Sequence, residues 1–371
     1  MQTVGRPEDI GLSGQGIDRL YGYMQQLVDT DRVATAAIGI ARYGRMLAPA
    51  AFGRMQPDVG APVQPDTIFL TASVTKPVTC AAVCHMIQQG RFDLDTPVAA
   101  LIPEFGQNGK GRVAVRHLLT HTSGLPDMIP ENVEYRKRFA PLEDFLKRIY
   151  ELKIDFDPGM DIRYQSTGIA VLGEIVRRIS GLPLPQYLQL VFFKSFGMKD
   201  TSLGSDGIDT ERVAHVRLSP EQDAETWTWN KPYWRRFGAP WGGMFSTVRD
   251  MNVFLQAFLA GGIFEGVRVL EPATVADMIQ NHTALMPGIP QTSKAREARG
   301  LGWRINEPRN TSGVETPPSE RAFGHNGATG TLVWADPDIG VSCVLFTGQP
   351  DMCDSVEIRR CTDLVIAALT H

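Results

Sequence analysis

Apolar positions near the start of the chain follow first a helical spacing and then a strand-like one. Apolar side chains recur every three or four residues between Ile17 and Val28, which predicts an amphipathic helix with Ser13 as its N-terminal cap. Two mostly apolar runs follow at 36–41 and 46–52, joined by a short connection that contains glycine. Such a connection predicts a β-hairpin, so the sheet is expected to begin antiparallel.

From residue 73 the pattern becomes mainly helical, and strand patterns return only towards the end. A helix is predicted to begin near Pro77 and to end at Gly90, and another is predicted over 167–180. The later segments predict, in order, an exposed loop, three strands and a closing helix: 286–299, 300–305, 330–335, 340–347 and 353–369.

These elements together predict an α/β (α+β) fold in two domains. The economical arrangement is an antiparallel sheet flanked by helices and built from both chain ends, residues 1–72 and 221–371. A mainly helical domain, residues 73–220, is then inserted between them. Residue 73 would lie at the junction of the two domains.

Composition limits the classes of protein to which the chain can belong. Of the 371 residues, 43% are hydrophobic and 21% are charged, which excludes a disordered chain. The 37 basic and 41 acidic side chains leave a net charge of −4, so no basic excess indicates nucleic-acid binding. No apolar run is long enough for a membrane span, and no secretory signal is visible. With five cysteines, a sparse and odd number, these features favour a cytoplasmic protein with reduced thiols.

The strongest local signal for chemistry is the S-x-x-K spacing of Ser73 and Lys76. On a helix these side chains lie one turn apart on the same face. A serine hydroxyl becomes a nucleophile when a base takes its proton, and a lysine can be that base if burial or a nearby cation keeps part of it neutral. The spacing alone is a weak signal, because an exposed polar helix start would give the same pattern.

Two further segments strengthen the interpretation of a catalytic site. Residues 163–168 place a tyrosine and a serine directly before a predicted helix, and residues 323–331 place a histidine and glycines at the start of a strand. With S-x-x-K, these segments resemble the three motifs of the serine β-lactamase and penicillin-binding-protein superfamily. The pattern is similar to the branch of class C β-lactamases, DD-peptidases and family VIII carboxylesterases, and within it most similar to the family VIII carboxylesterases. Segments 117–126 and 241–250 extend the resemblance, which runs from about residue 8 to the C-terminus.

The resemblance implies a β-lactamase-like fold and an acyl-enzyme mechanism that needs no cofactor or metal. Ser73 matches the acylated nucleophile, and Lys76 matches its partner in activation. Tyr164 matches the first position of the Y-x-N motif, where the phenol relays protons to the leaving group and from water. Which of Lys76 and Tyr164 is the formal base stays open. The backbone N–H groups of Ser73 and Ala328 match the oxyanion hole.

The sequence departs from the family pattern at two substrate-binding positions. Ser166 replaces the asparagine of Y-x-N, which in β-lactamases helps to hold the amide side chain of the substrate. His325 replaces the lysine of the K-T-G motif, of which Gly327 is the glycine. A histidine is mostly neutral at pH 7, so attraction for a substrate carboxylate is weakened. Both changes favour neutral, short-chain carboxylic esters over β-lactams.

The motifs leave several alternatives open. The same site could hydrolyse β-lactams or D-amino-acid peptides, could transfer the acyl group to an alcohol, or could survive in a non-catalytic binding protein. His117 and His121 could chelate a metal, although packing and hydrogen bonding are the favoured interpretation. The aromatic run at 227–237 could line the substrate pocket or cover the domain junction. The expected partner is a small-molecule ester, and the oligomeric state stays open.

Overall fold

The computed structural model describes residues 1–56, 60–305 and 319–370. Those residues contain fourteen α-helices and thirteen strands. The helices are α1 (Gly14–Asp29), α2 (Thr75–Gln88), α3 (Val98–Leu101), α4 (Val115–Leu119), α5 (Asn132–Lys137), α6 (Leu142–Glu151), α7 (Thr167–Ser180), α8 (Leu184–Leu188), α9 (Pro220–Ala224), α10 (Pro232–Phe237), α11 (Val248–Leu259), α12 (Pro272–Met278), α13 (Gln291–Arg296) and α14 (Val356–Ala367). The strands are β1 (Gln2–Val4), β2 (Thr35–Arg42), β3 (Arg45–Leu47), β4 (Ala50–Gly53), β5 (Phe69–Leu70), β6 (Ser202–Leu203), β7 (Met244–Ser246), β8 (Ile263–Phe264), β9 (Val267–Arg268), β10 (Arg304–Ile305), β11 (Phe323–Gly327), β12 (Thr331–Asp336) and β13 (Val341–Phe346). None of these helices is long and apolar enough to cross a membrane.

An eight-stranded, mostly antiparallel sheet joins the two ends of the chain. Its strand order is β1-β3-β2-β13-β12-β11-β10, and β4 also pairs with β2. The predicted hairpin is confirmed: Arg42 pairs with Arg45, and Tyr43 and Gly44 between them take left-handed φ angles of 50° and 76°. Strands β2 and β13, from opposite chain ends, are antiparallel neighbours. The predicted α/β fold, with a sheet built from both ends, is therefore confirmed.

Helices cover both faces of this sheet. Helices α1 and α14 contact each other over one apolar cluster, which includes Leu20, Ile40 and Val365. The other face packs against α11, whose Asn252 donates to the carbonyl of Gly39 at 3.0 Å. A larger apolar cluster continues from there to α2 and α7. Helix α2 thus begins close to where the sheet and the helices meet, while the domain boundaries after residues 72 and 220 stay a prediction.

Four predicted segments differ in extent from the observed elements. The run 46–52 forms two strands, β3 and β4, because Pro49 between them has no N–H to donate to a ladder. The segment 300–305 contributes only the two residues of β10. The closing helix is shorter than 353–369, since Ser355 caps it by accepting from the N–H of Ile358.

The fourth difference is the segment 286–299, which is not an exposed loop throughout. It contains α13, and it ends in Arg299, which is fully buried. This segment contributes to the site described next.

Candidate active site

Ser73 lies in a three-residue 3-10 turn that leads directly into α2. The preceding Ala72 takes a left-handed φ of 46°, a conformation that costs a non-glycine residue about 1–3 kcal/mol. Neighbouring hydrogen bonds hold it there. The N–H of Thr71 donates to the carbonyl of Met244 at 2.9 Å, and the Thr75 hydroxyl donates to the carbonyl of Ala72 at 2.6 Å. Ser73 is therefore held in a strained segment at the start of a helix.

Lys76 is buried beside Ser73, with its amine at the serine hydroxyl. Its Nζ lies 3.0 Å from Oγ of Ser73 and 2.9 Å from the carbonyl oxygen of Trp241. Burial is the main reason that the pKa of Lys76 falls to about 7; the carboxylate of Asp127 opposes the shift and the cation of Arg299 adds to it. A large fraction of the amine is therefore neutral at pH 7 and able to accept a proton.

Tyr164 is the third polar side chain against Ser73. Its ring centroid lies 4.6 Å from Nζ of Lys76, and its phenol hydrogen-bonds with Ser73. Burial raises the pKa of Tyr164 above its usual value, although that hydrogen bond and the charge of Arg299 oppose the shift. The resting phenol is therefore protonated at neutral pH, and it is a proton donor before it can be an acceptor.

The loop that carries Tyr164 is held by hydrogen bonds to His121. The N–H of Arg163 donates to the carbonyl of His121 at 2.9 Å, and the N–H of Gln165 donates to the Nδ1 of the same histidine at 3.1 Å. The His121 ring also packs against Tyr164, with centroids 4.8 Å apart. The segment 117–126 thus positions the phenol.

The other histidine of that segment also serves the backbone. Nδ1 of His117 accepts the N–H of Ala114 at 3.0 Å, just as Nδ1 of His121 accepts that of Gln165. Burial lowers the pKa of both histidines. Their contacts support the interpretation as packing and hydrogen-bonding residues over that as metal ligands.

The hairpin between β11 and β12 is tied to the residues before Ser73. The N–H of Gly330 donates to the carbonyl of Gly327 at 2.9 Å, and Gly330 takes a φ of 78°, as a three-residue hairpin loop requires. The hydroxyls of Thr329 and Thr331 donate to the carbonyls of residues 70 and 71, at 2.7 and 2.8 Å. These bonds fix the hairpin loop against the Ser73 segment.

Gly327 allows this close approach. A Cβ at this position would collide with the carbonyl of Thr71 and would lie 3.2 Å from the backbone nitrogen of Ser73. Ala328, the next residue, is exposed in the hairpin loop. The backbones of Ser73 and Ala328 thus belong to two segments in contact, as an oxyanion hole between their N–H groups would need.

Ser166 directly precedes α7 and is buried. Its N–H donates to Oδ1 of Asp127 at 2.8 Å and to the carbonyl of the same residue at 3.0 Å. Ser166 borders a small, mostly apolar cavity of about 10 Å³, room for about one water molecule. The other residues that line it are Met128, Ile129, Phe145, Ile149, Thr167 and Trp241.

His325 lies on β11 and is fully buried. Its Nδ1 lies 2.7 Å from the carbonyl of Asn326, which can only accept, so Nδ1 carries the proton. Burial lowers the pKa of His325 well below its usual value, and the cations of Arg304 and Arg299 lower it further. The ring is therefore neutral at pH 7, and its centroid lies 6.2 Å from that of Tyr164. Direct contact of His325 with a substrate stays a prediction.

Sequence reasoning missed Arg299. Its guanidinium carbon lies 5.5 Å from the centroid of the Tyr164 ring. The packing that places it is visible only in the structure: at Gly302, a Cβ would lie 2.6 Å from that of Cys80 on α2. A segment packed so closely against α2 brings its arginine to the site. The site therefore holds a fixed cation, Arg299, although the lysine of the K-T-G motif is absent.

The aromatic run at 227–237 mainly packs against the region around α5. The Trp234 ring lies 4.0 Å from the guanidinium carbon of Arg136, and the Tyr233 hydroxyl donates to the carbonyl of Ala140 at 2.8 Å. These contacts support a covering role for both residues. Trp241 contacts Lys76 through its carbonyl, and together with Phe145 it lines the small cavity.

Comparison with known proteins agrees with this geometry. A family profile described as Beta-lactamase matches residues 21–363. The chain belongs to the Beta-lactamase family. The superfamily predicted from the motifs is therefore confirmed. A curated relative is the "Putative D-alanyl-D-alanine carboxypeptidase" of Salmonella typhimurium, 25% identical over an alignment that covers 94% of this chain and 86% of the relative.

Solved structures share the fold. A "Novel Penicillin-Binding Protein (PBP) Homolog" from Caulobacter crescentus has a TM-score of 0.79 at 23% identity, over 97% of this chain and 99% of that one. A family VIII carboxylesterase has a TM-score of 0.77 at 20% identity, over 97% and 99% of the two chains. EstCE1, "a hydrolase with promiscuous acyltransferase activity", has a TM-score of 0.77 at 22% identity, over 94% and 98%. At these identities the likeness is one of fold.

Proposed function

We propose that this family member is a serine hydrolase that cleaves short-chain carboxylic esters through a covalent acyl-enzyme on Ser73. The observation that carries the proposal is the buried amine of Lys76, 3.0 Å from Oγ of Ser73. With a pKa of about 7, Lys76 holds enough neutral amine to take the serine proton. The raised pKa of Tyr164 supports the complementary role of proton donor.

Acylation follows from these roles. Neutral Lys76 takes the hydroxyl proton of Ser73 as Oγ attacks the ester carbonyl carbon. The N–H groups of Ser73 and Ala328 stabilise the negative charge on the carbonyl oxygen, each by about 3 kcal/mol. As the C–O bond to the alcohol breaks, Tyr164 donates its proton to the leaving oxygen and regains one from Lys76. Deacylation runs the same transfers with water as the nucleophile, and it releases the carboxylic acid and free Ser73.

The side chain of His325 supports a neutral ester as substrate. The neutral ring of His325 stands where the family has a lysine, so this position offers no charge to a substrate carboxylate. The proteins of the same fold that are described as a carboxylesterase and as EstCE1 are consistent with this choice.

The test compares the wild type with Ser73→Ala on p-nitrophenyl acetate, p-nitrophenyl butyrate and nitrocefin. We expect ester turnover in the wild type and a loss of about 10³-fold or more in the variant. A fluorophosphonate probe should add one label to the wild type, measured by intact mass, and none to Ser73→Ala. A wild type that neither turns over esters nor takes the label would refute the enzyme proposal. Nitrocefin turnover as fast as that of the esters would refute the ester preference.

A peptidase or β-lactam hydrolase is the second candidate, and Arg299 beside Tyr164 is the observation that favours it. The name of the Salmonella relative points the same way. A His325→Lys variant separates the candidates, because it adds the cation that the third motif lacks. If esters are the substrate class, this variant should gain about tenfold in kcat/KM for nitrocefin, a difference of ~1.4 kcal/mol, while the wild type hydrolyses it poorly. Added methanol tests acyl transfer, through the formation of methyl butyrate.

A further inference from the structure

Arg299 is a buried cation whose position the backbone fixes. Its N–H donates to the hydroxyl of Thr283 at 3.0 Å, and its carbonyl accepts the N–H of His282 at 2.8 Å. The guanidinium forms an ion pair with Glu297, and its carbon lies 5.5 Å from the centroid of the Tyr164 ring. Burying such a charge is unfavourable unless its partners compensate. The mechanism proposed above makes no use of it.

We propose that Arg299 is a positioning residue, whose guanidinium supplies a fixed positive charge beside Tyr164 that adds to burial in favouring the proton-accepting form of Lys76 when Ser73 attacks. This inference rests on the proposed function, because it requires Lys76 to act as the base. A fixed cation disfavours a second positive charge on a nearby amine. The same cation stabilises the negative charge that develops on the phenol while Tyr164 passes its proton to the leaving group.

The effect of Arg299 reaches groups on several elements. Its charge lowers the pKa of Lys76 on α2, of Tyr164 before α7, of His121 and of His325 on β11. Among the residues that the structure describes, the charged and titratable groups that interact with Lys76 include Ser73, Cys80, His121, Asp127, Tyr164, Arg299, Arg304 and His325.

Within this set the contributions have different signs. The cation of Arg304 acts on Lys76 in the same direction as Arg299 but less strongly, and the carboxylate of Asp127 opposes both. Glu297 pairs with Arg299 and therefore reduces its field at the amine. Removing Arg299 and removing the charge of Glu297 must then shift the titration of Lys76 in opposite directions.

The test is the pH dependence of the rate at which a fluorophosphonate labels Ser73, which needs no ester substrate. The rate falls at low pH as Lys76 becomes protonated. In Arg299→Met we expect this acid limb to move to higher pH by about 1 unit, with a loss of about tenfold in rate on the limb. In Glu297→Gln it should move to lower pH by a smaller amount. Arg299→Lys keeps a cation and should leave the limb near that of the wild type.

A merely structural role predicts something else: lower stability and slower labelling at every pH, without movement of the limb. An unmoved limb in Glu297→Gln, or limbs that move in the same direction in both variants, would overturn the inference. If Arg299→Met does not fold, as judged by circular dichroism, Glu297→Gln and Arg299→Lys still decide the question. Labelling without ester turnover would reject the ester proposal alone, whereas a wild type that takes no label at any pH would reject both.

Discussion

Two buried lysines, Lys76 and Lys110, show what distinguishes a candidate catalytic base from a lysine that only holds two segments of the chain together. Neither is exposed by more than 1%, and burial lowers the pKa of both, to about 7 for Lys76 and about 8 for Lys110. Their hydrogen-bond partners differ. Lys76 contacts one backbone carbonyl and the hydroxyl of Ser73, whereas Lys110 contacts two backbone carbonyls.

That difference decides what each amine can do. A carbonyl only accepts, so Lys110 must donate to both Tyr150, at 2.9 Å, and Leu152. The ring of Phe105, with its centroid 5.5 Å from Nζ, also favours the cation. Lys110 therefore links the 3-10 turn at residues 110–112 to the end of α6. A serine hydroxyl can yield a proton, so a lowered pKa indicates a base only where such a partner is present.

The largest expected effect comes from Lys76→Met. This variant should lose about 10²–10⁴-fold in kcat/KM for p-nitrophenyl butyrate, because the neutral amine that accepts the Ser73 proton is gone. Lys76→Arg is the control for charge, since a guanidinium stays protonated and should be equally inactive. Activity within tenfold of the wild type in either variant would contradict the role of Lys76 as base.

The same substitution at the other lysine should affect stability and leave catalysis intact. Lys110→Met removes the donor from the buried carbonyls of Tyr150 and Leu152, at a cost of about 1–3 kcal/mol for each unsatisfied group. We expect a lower midpoint of thermal unfolding, with kcat/KM per folded molecule within about twofold of the wild type. A stable Lys110→Met protein with impaired turnover would contradict the purely structural role of Lys110, because this lysine would then affect catalysis at the active site.

The part of the fold that could be predicted from the sequence depends on local signals. Helix α7 was predicted to the residue, because its apolar spacing and the left-handed Gly181 at its end are both local. The hairpin at Tyr43 and Gly44 could also be predicted, because its short connection with a glycine is a local signal. Strand β10 was predicted to begin too early, because it begins at Arg304, where its pairing with β11 begins, and pairing between distant segments leaves no local pattern.

The residues of the site likewise differ in whether a local signal in the sequence could predict them. The spacing of Ser73 and Lys76 places them on one helical turn, so the sequence alone could suggest that pair. The role of Tyr164 could be predicted only from the family resemblance, because a long stretch of chain separates it from Ser73 and Lys76. The carbonyl of Trp241 has no residue-type signal, and the burial of Arg299 is set by packing that no short pattern encodes.

The pH dependence should also separate the two lysines. With the pKa of Lys76 at about 7, kcat/KM for a neutral ester should fall about tenfold per pH unit below pH 7, and Lys110→Met should keep that profile. Between about pH 7 and the usual lysine pKa of 10.5, the unfolded chain binds a proton at Lys76 that the folded protein does not, so stability rises with pH. Thermal midpoints of Lys76→Met should show a smaller rise over this window. An equal rise would mean that Lys76 is not the group titrating.

The smallest effect should come from Thr79→Val, which leaves both lysines in place and removes one support behind Lys76. The hydroxyl of Thr79, buried one turn further along α2, donates to the carbonyl of Pro240 at 2.7 Å, directly before the Trp241 carbonyl that accepts from Lys76. Valine keeps the shape but loses the donor, so we expect about 1 kcal/mol less stability and a loss of less than about tenfold in kcat. Thr79→Ser restores the hydroxyl and should restore most of the activity. If Thr79→Val instead loses as much kcat as Lys76→Met, proton transfer to Lys76 would depend on the position of the Trp241 carbonyl as much as on the amine itself. The hydroxyl of Ser73 alone would then no longer explain why Lys76 differs from Lys110.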